Sequence, residues 1–581
     1  MHWVLRFFRI LFFCVAAVGF GQVKVKVKRP PVKAKPKTTA NASRQFNRYD
    51  RLRGELTPAR NCYDVYFYGL NLKINPADSS INGYNIIAYR AETDFQRIQI
   101  DLFKNLKISR ITHRGKPMSF TRDSNAVFVN FNSVQAKGTL DSIVVHYGGR
   151  PRIARNPPWD GGFVWTKDAT RKPWVAVACE GTGASLWWPC KDHLSDEPDS
   201  MHISVDVPND LMCVSNGNLK KTTYLRNGFA RYDWRVQYPI NNYNVTVNIG
   251  KYDQITDTYT SPDGRKLALD YYVMPYNRGK AEKQFRQVKP MLAAYEKYFG
   301  PYPFWNDGYA LVETPYLGME HQSAIAYGNG YENGYHGKDL SGVGLPFDYI
   351  LIHETGHEYW GNNVGMADHG EMWINESFCT YAEALYVEEV FGKEKALQYL
   401  QGQSKLIQNT EPVLGPLNVN FTGAATTDMY FKGSNMLHTL RNVIGNDSLW
   451  FGILRGLQHD FGLKQVHTQD ITDYINAKAG TDFNYFFDQY LKHPAPPTLT
   501  CILTQTRRRE VELQVRWTAD VAGFAMPIKI RSDAEGGYQT IRPTSQWQTI
   551  MLEGTVDDFR VATELYYVLT DIRGKSPDTG K

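Results

Sequence analysis

Two histidines separated by three residues constrain the fold of this chain more than any other feature. His353 and His357 enclose Glu354 in the pentapeptide His-Glu-Thr-Gly-His, and Glu376 follows after eighteen intervening residues. On an α-helix, side chains four positions apart project from one face about 6 Å apart along the axis, so two imidazoles can reach one cation. The pattern therefore predicts a helix through both histidines and a second segment that brings a third ligand to the same metal ion.

The side chain of Glu354 does not project from the same helix face as the two histidines. It points roughly 100° away around the helix axis, beside the metal. This position suits a base that takes a proton from a water molecule, while a catalytic zinc site uses three protein ligands and keeps one coordination position open. We therefore predict one zinc ion held by His353, His357 and Glu376, with Glu354 as the catalytic base of a hydrolase.

The flanking sequence predicts two packed helices that would bring these ligands together. The run 346–352 before the histidines is mostly apolar, and residues 371–390 have apolar side chains at helical spacing. A metzincin site would need a glycine at position 360 and a histidine at position 363. Because the chain has Trp360 and Asn363 there, this alternative is excluded.

The first 48 residues differ from the rest in composition. Two arginines precede an apolar run at 10–20, which predicts a signal peptide at 1–21 and an exported protein, periplasmic or extracellular. This run is about half of the roughly 20 residues that a membrane span needs, and no transmembrane span is predicted. The lysine- and proline-containing residues 22–48 predict an extended tether whose basic side chains offer a surface contact.

The net charge of the chain is concentrated in this tether. The formal charge is +7, and residues 22–37 contain seven basic and no acidic side chains. Nucleic-acid binding requires a basic face on a folded domain, so it is not predicted. Six cysteines follow the signal peptide, too few for a disulfide framework at this length. Pairing of Cys179 with Cys190 and the oligomeric state stay open.

The sequence pattern changes twice after the tether, which predicts three domains for a chain of 581 residues. Residues 49–255 alternate polar and apolar side chains in short runs, which predicts a β-rich N-terminal domain. Residues 256–495 contain helical patterns and the zinc ligands, and form the predicted catalytic domain. Residues 496–575 alternate again and predict a small C-terminal β-sandwich. The predicted fold class is multidomain α+β.

Four separated segments carry a resemblance to a known family. They are HETGHEYWGN at 353–362, WINE at 373–376, GMEH at 318–321 and YFKG at 430–433. Together these segments resemble the aminopeptidase N family of zinc metallopeptidases, the gluzincins. The resemblance implies a saddle-like N-terminal β domain, a thermolysin-like catalytic domain and one zinc ion. The larger members have a long helical C-terminal domain, whereas this chain ends in a short β module.

The resemblance also implies roles for residues outside the zinc pattern. The family's Gly-Ala-Met-Glu-Asn strand binds substrate, and its glutamate binds the free α-amine; here Gly318, Met319 and Glu320 match it. Glu180 resembles a second amine-binding acid from the β domain, and a structural glutamate is the alternative. Tyr430 corresponds to the tyrosine that stabilises the tetrahedral intermediate.

Two residues in these segments are not expected to have a catalytic or substrate-binding role. His321 stands where the family has asparagine, so the contact of that asparagine is not expected here. Lys432 follows the tyrosine and is expected to be structural.

These expectations predict an exported zinc aminopeptidase that hydrolyses the first peptide bond of peptides with a free N-terminus. Two alternatives stay open. A thermolysin-like zinc endopeptidase would share the zinc chemistry without requiring a free amine. A non-catalytic peptide-binding relative would keep the fold without turnover.

Overall fold

The computed structural model describes residues 45–344, 346–421 and 426–575. The predicted signal peptide at 1–21 and most of the tether at 22–48 lie outside these ranges. The described chain begins with two short helices, α1 (Arg48–Gly54) and α2 (Pro58–Asn61). Asn47 caps α1, because its side chain accepts hydrogen bonds from two backbone N–H groups of the first turn.

The β-rich part of the chain follows these helices. Its strands in chain order are β1 (Tyr63–Asn75), β2 (Ser80–Ala91), β3 (Phe95–Asp101), β4 (Leu106–His113), β5 (Lys116–Pro117), β6 (Ser119–Asp123), β7 (Ala126–Gln135), β8 (Leu140–Gly149), β9 (Gly162–Lys167), β10 (Pro173–Ala178), β11 (Ser200–Pro208), β12 (Met212–Ser215), β13 (Asn218–Tyr224), β14 (Phe229–Val236) and β15 (Val247–Gly250). They form an eight-stranded sheet in the order β13-β14-β11-β1-β2-β8-β4-β5, a three-stranded sheet β3-β7-β6 and a four-stranded sheet β12-β15-β10-β9.

Strand β11 shows why the alternating sequence makes these sheets. Met201, Ile203 and Val205 are fully buried, and His202 between them is exposed, as expected where one face of a strand packs on a core. The strand pairs in parallel with β1 and antiparallel with β14. The alternation therefore predicted both the strand and its buried face.

The predicted catalytic part contains a mixed sheet and most of the helices. Its strands are β16 (Asp253–Thr260), β17 (Lys266–Val273), β18 (Tyr309–Glu313), β19 (Gly318–Met319), β20 (Ile325–Tyr327), β21 (Val364–Met366) and β22 (Lys464–Val466). Its helices are α3 (Arg278–Gln284), α4 (Val288–Phe299), α5 (Tyr349–Gly356), α6 (Trp373–Phe391), α7 (Lys393–Ser404), α8 (Asp428–Ile444), α9 (Asp447–Asp460), α10 (Thr468–Ala479) and α11 (Asn484–Lys492). The sheet order is β16-β17-β18-β20-β19, so β19 lies at the edge.

The C-terminal module consists of two small sheets. Its strands are β23 (Thr498–Arg507), β24 (Glu510–Thr518), β25 (Ile528–Arg531), β26 (Gln539–Ile541), β27 (Gln548–Glu553), β28 (Arg560–Val561) and β29 (Leu569–Lys575). They pair in the orders β27-β24-β23-β29 and β26-β25-β28. The module contacts the catalytic helices, since the N–H of Tyr567 donates to Thr439 Oγ1 at 2.8 Å and Tyr490 donates to the Tyr567 carbonyl at 2.6 Å. The predicted multidomain α+β fold is confirmed.

Two further observations concern the whole described chain. Cys179 and Cys190 are both buried free thiols, as are the other cysteines in the described ranges, so the pairing that the sequence left open is not formed. Among the described residues, no helix combines the length and the apolar character required to cross a bilayer.

Candidate active site

Helix α5 presents both histidines on one face. Asp348 caps the helix by accepting hydrogen bonds from the N–H groups of Ile350 and Leu351, each at 3.1 Å. The helix ends at Gly356, and His357 is the C-cap residue with helical dihedral angles of φ −66° and ψ −22°. The predicted spacing of one turn is therefore kept, although the second histidine lies at the helix terminus.

Three side-chain atoms converge on one point between α5 and α6. Nε2 of His353 lies 3.2 Å from Nε2 of His357. Oε2 of Glu376 lies 3.4 Å from the first nitrogen and 3.5 Å from the second. Ligands placed 2.0–2.1 Å from a tetrahedral zinc ion lie about 3.3 Å from each other. The triangle thus has the dimensions of three corners of a zinc tetrahedron.

The hydrogen bonds on the far side of each ring determine which nitrogen is free. Nδ1 of His353 lies 2.6 Å from Oε1 of Glu383, and Nδ1 of His357 lies 2.9 Å from the Trp360 carbonyl oxygen. Because a carbonyl and an ionised carboxylate only accept, each Nδ1 is the donor. Each Nε2 therefore directs its lone pair to the common point, the arrangement seen in metal-binding histidines.

The residues present fit one zinc ion. Within the described ranges, Oε2 of Glu376 is buried and lacks a hydrogen-bond partner. A buried carboxylate and two facing lone pairs are stable together only around a cation, and two imidazoles with one glutamate form a common catalytic zinc set.

Glu354 lies beside this triangle, as the helix geometry predicts. A Cβ atom at Gly318 on this edge strand would lie 2.4 Å from its Oε1, so a side chain there would displace the glutamate carboxylate. Ligand atoms of Glu354, Glu320 and His357 lie within 4.8 Å of one another. Burial raises the pKa of Glu354 to about 8; Glu320 raises it too, and His353 opposes both. A cation at the neighbouring ligand triangle would lower this pKa, so the carboxylate can accept and release a proton near neutral pH.

Glu320 follows directly after edge strand β19 and is held from two sides. The Tyr243 hydroxyl donates to its Oε1 at 3.2 Å, and the Asn362 amide donates to its backbone carbonyl at 2.9 Å. Burial raises the pKa of Glu320, while His357 lowers it. Its carboxylate is thus fixed in a water-poor environment close to the histidines.

Glu180 belongs to a turn of the β-rich part and lies on the wall of the same cavity. Its Oε1 is buried and has no hydrogen-bond partner among the described residues. Burial raises its pKa well above the ordinary value, and Glu320 and Glu376 raise it further. An unpartnered oxygen among other carboxylates is a position where a cationic ligand would be stabilised.

Tyr430 projects from the first turn of α8 towards the histidines. Its ring centroid lies 6.0 Å from that of His353. Burial raises the pKa of the phenol well above its usual value, and Glu376 raises it further. The hydroxyl therefore remains a hydrogen-bond donor at physiological pH.

The cavity of about 590 Å³ connects these groups. It contains the side chains for which the sequence predicts a site role and extends along the β-rich part and α1. Its site residues are His353, His357, Glu376, Glu354, Glu320, Glu180, Tyr430, Gly318 and Met319.

The two other residues of the family segments lie in different surroundings. Lys432 donates to the carbonyls of His493 and Pro494 at 2.7 and 2.8 Å, so it anchors α8 to the end of α11 as expected for a structural residue. His321 is completely buried, its ring nitrogens lack a partner among the described residues, and burial lowers its pKa to about 3. A neutral ring thus takes the place of the asparagine.

Sequence reasoning missed two residues that orient the site. Glu383 lies on α6 seven residues after Glu376, two helical turns further on the same face, and this spacing could have identified it. Tyr243 belongs to the β-rich part, 77 residues before the carboxylate that it contacts. No local pattern singles it out among 36 tyrosines.

Two family models match the chain in order. The peptidase M1 N-terminal domain matches residues 60–243, and the peptidase family M1 domain matches residues 284–490. The chain belongs to peptidase family M1. The resemblance to aminopeptidase N is thereby confirmed. The first matched range lies within the described residues of this M1 chain, and the second does so except for residues 345 and 422–425.

Curated relatives of this M1 chain are longer than the chain itself. A leucyl aminopeptidase of Saccharolobus solfataricus is 21% identical over 86% of the chain and 62% of the relative. The endoplasmic reticulum aminopeptidase 1 of Homo sapiens is 23% identical over 59% of the chain and 37% of the relative. The chain thus spans less than two thirds of either relative.

Solved M1 structures share the fold. A mutant M1 zinc metallopeptidase of Deinococcus radiodurans bound to a Tyr-Ser-Ala substrate matches with a TM-score of 0.63 and 19% identity, over 76% of this chain and 97% of that one. A mutant two-domain M1 zinc metallopeptidase bound to L-tryptophan matches with a TM-score of 0.64 over 76% and 98% of the two chains. The β-rich and helical parts therefore have the two-domain M1 architecture.

Proposed function

We propose that this M1 chain is a zinc-dependent aminopeptidase that hydrolyses the first peptide bond of peptides with a free N-terminus. The main support is the pair of carboxylates, Glu320 and Glu180, on the wall of the cavity that contains the zinc ligands. Burial raises the pKa of both, so a cation between them would be stabilised. The α-ammonium group is the cation that every unblocked peptide offers next to its first peptide bond, and a fixed carboxylate would admit that bond alone to the metal.

The remaining site residues supply proton transfer and charge stabilisation. Zinc, when bound, polarises the scissile carbonyl and lowers the pKa of water from about 15.7 towards 7. Glu354 takes the proton from the attacking water and passes it to the leaving amine. Tyr430 donates a hydrogen bond to the developing oxyanion, a contribution of about 3 kcal/mol for a donor of this kind. The products are one amino acid and a shortened peptide.

A blocked substrate separates this proposal from an endopeptidase. We expect hydrolysis of a free peptide and no hydrolysis of its N-acetylated twin, measured as kcat/KM by chromatography of the products. Cleavage of the acetylated peptide would support the thermolysin-like endopeptidase. Purified protein that takes up no zinc and turns over neither peptide would support the non-catalytic relative.

Two variants test the division of roles. Glu354→Gln should lower kcat by about 10²–10⁴-fold, because it removes a general base, with the zinc content of the protein unchanged. Glu320→Gln should act mainly on KM, because it weakens the clamp on the amine and leaves the base in place. Equal effects of both variants on kcat and KM would contradict this division.

We also propose that the protein is exported, to the periplasm or the medium. The support is the arginine-preceded apolar run within residues 1–21. N-terminal sequencing of protein from fractionated cells should then begin near Gln22. Recovery of the chain in the cytoplasm with Met1 still present would contradict export.

A further inference from the structure

Helix α1 contributes to the catalytic cavity although it lies before both family matches. The matches begin at residues 60 and 284, whereas α1 ends at Gly54. Four of its residues line the cavity together with the zinc ligands: Tyr49, Asp50, Leu52 and Arg53. A segment outside the residues that match the two family models thus forms part of the cavity wall next to the zinc ligands.

Arg53 makes the most specific contacts of this helix. Its Nη1 donates to the carbonyl oxygen of Gly181 at 2.7 Å and to Oδ1 of Asn420 at 2.6 Å. Its Nε lies 3.7 Å from Oδ2 of Asp192, and the side chain is only 17% exposed. The guanidinium charge is therefore compensated by a carboxylate, while its hydrogen bonds join the β-rich part to a segment of the catalytic part.

The turn that contains Glu180 closes around this guanidinium group. Gly183 has a φ of +100°, and a Cβ atom there would lie 2.3 Å from Nη2 of Arg53. The turn is closed internally by the N–H of Gly183, which donates to the Cys179 carbonyl at 2.7 Å, and by the N–H of Thr182, which donates to the Glu180 carbonyl at 2.6 Å. A side chain at position 183 would displace the guanidinium, so the turn is shaped to receive it.

Helix α1 is itself fixed to the catalytic part. The N–H of Asn420 donates to the Asp50 carbonyl at 2.9 Å. A Cβ atom at Gly54 would lie 2.1 Å from the backbone carbon of Val419, so the two backbones are in direct contact. Arg53 therefore projects from a helix whose position relative to the segment around Asn420 is determined by backbone contacts.

We propose that Arg53 is a positioning residue that holds the Glu180 turn where its carboxylate receives the substrate ammonium group. This inference rests on the proposed aminopeptidase function. The side chain anchors the carbonyl of Gly181, the residue after Glu180, and joins it to Asn420 across the cavity wall. Without this anchor the Gly181 carbonyl loses its donor. The turn then keeps its internal hydrogen bonds and two bonds at its ends, from Thr182 Oγ1 to the Asp160 carbonyl at 3.1 Å and from Cys179 Sγ to the Tyr243 carbonyl at 3.2 Å. The segment between these ends, which contains Glu180, is then less firmly held relative to the zinc ligands.

A matched pair of inhibitors isolates the effect on amine recognition. An α-amino hydroxamate and the same molecule with hydrogen in place of the amine both chelate zinc. The inhibition constant of the des-amino compound divided by that of the amino compound therefore reports the contribution of the amine to binding. We expect Arg53→Met to lower this ratio about tenfold, the effect of losing a hydrogen bond to a charged group. Binding of the des-amino inhibitor should stay unchanged. The exposed Arg51 on the same helix provides the control Arg51→Met, which should keep the wild-type ratio.

Two further variants connect the effect to Glu180 and guard against a folding defect. In a Glu180→Gln background, Arg53→Met should not lower the ratio of inhibition constants further, because both changes remove the same interaction between Glu180 and the amine. Arg53→Lys, which keeps the charge and loses the fork of donors, should give an intermediate ratio.

The outcomes distinguish the two proposals. An unchanged ratio in Arg53→Met, equal weakening of both inhibitors, or additive losses with Glu180→Gln would each overturn the positioning role while the aminopeptidase assignment stands. A wild-type protein that does not prefer the amino inhibitor would overturn the proposed function, and the inference with it.

Discussion

Each histidine at the metal centre obtains its orientation from a group behind it. Glu383 accepts from Nδ1 of His353 and is itself held by the Tyr399 hydroxyl, which donates to its other oxygen at 2.5 Å. The Trp360 carbonyl performs the same task for His357. Since these partners select the tautomer, they contribute to metal affinity without touching the metal.

Replacement of Glu383 should therefore weaken zinc binding before it affects folding. We expect Glu383→Gln to lower zinc affinity by about 10–100-fold, the usual effect of losing such a partner. Competition with a chromogenic chelator measures it. Glu394→Gln changes an exposed glutamate on α7 and should leave the affinity unchanged; an equal loss in both variants would contradict the role of Glu383.

At the scale of elements, the close approach of α6 and α8 places Tyr430 beside the ligands of α5. The Ser377 hydroxyl donates to the Met429 carbonyl at 2.6 Å. A Cβ atom at Gly433 would lie 1.7 Å from Oγ of Ser377. The two helices therefore touch through a glycine, and the distance between them determines where the phenol of the preceding turn points.

An alanine at this contact should separate the two helices. We expect Gly433→Ala to lower both the melting temperature and kcat, because α8 must shift and take Tyr430 with it. Gly452→Ala on α9 is the matched control, since no atom of the described part of the chain lies within 4 Å of a Cβ atom there. That variant should be more stable by about 1 kcal/mol, the difference in helix propensity. Calorimetry and steady-state kinetics of both variants test this; full activity of Gly433→Ala would contradict it.

Helix α8 also contains a buried histidine away from the zinc ligands. His438 is 6% exposed, and burial followed by the charge of Arg441 lowers its pKa to about 3. In the unfolded chain a histidine binds a proton near pH 6.5. Between these two pKa values the unfolded state binds more protons than the folded state. The contribution of His438 to the free energy of unfolding is therefore constant above pH 6.5 and decreases as the pH falls below it.

Replacing this histidine should make the protein less sensitive to acid. Between pH 7.5 and pH 5 the free energy of unfolding should decrease less for His438→Gln than for the wild type. The difference between the two decreases should be about 2 kcal/mol, the effect of one proton over this range. Urea titrations at the two pH values provide the measurement. His459→Gln, at a position 87% exposed, should follow the wild type. Parallel losses in all three proteins would show that His438 does not contribute.

At the scale of the whole molecule, the site joins parts that are far apart in the chain. Helices α5 and α6 provide the zinc ligands, edge strand β19 precedes Glu320, and the β-rich part provides Glu180 and Tyr243. The C-terminal module contacts α11 and also α8, the helix that carries Tyr430. The site therefore depends on the packing of segments that are distant in the chain.

Zinc removal should consequently lower the stability of the fold as well as abolish turnover. With the metal at about 100 times its dissociation constant, a ligand that binds only the folded state contributes about 2.7 kcal/mol. We expect a chelator to lower the melting temperature and added zinc to restore it. In Glu376→Gln, where one of the three ligands is lost, the shift should be much smaller. A melting temperature that does not respond to chelation would contradict a zinc site of this geometry.

Much of the fold and the metal site could be predicted because their signals are local. The four-residue spacing of His353 and His357 follows from the helix repeat, and the helix predicted over 371–390 runs from Trp373 to Phe391. Alternation predicted the β-rich part and the C-terminal module because one face of each strand is buried. The family segments indicated Glu320 and Tyr430, and a looser resemblance outside those segments indicated Glu180. The structure brings the three residues to one cavity.

The ligand types, the spacing of the two histidines and the fold class could be predicted from the amino-acid order alone, since they depend on the geometry of neighbouring residues. The distant side chains that orient the site residues became visible only in the folded chain. Tyr243 lies 77 residues from Glu320, and Arg53 lies 128 residues from Gly181. Such contacts depend on how complete sheets and helices pack, and no spacing along the chain encodes that packing.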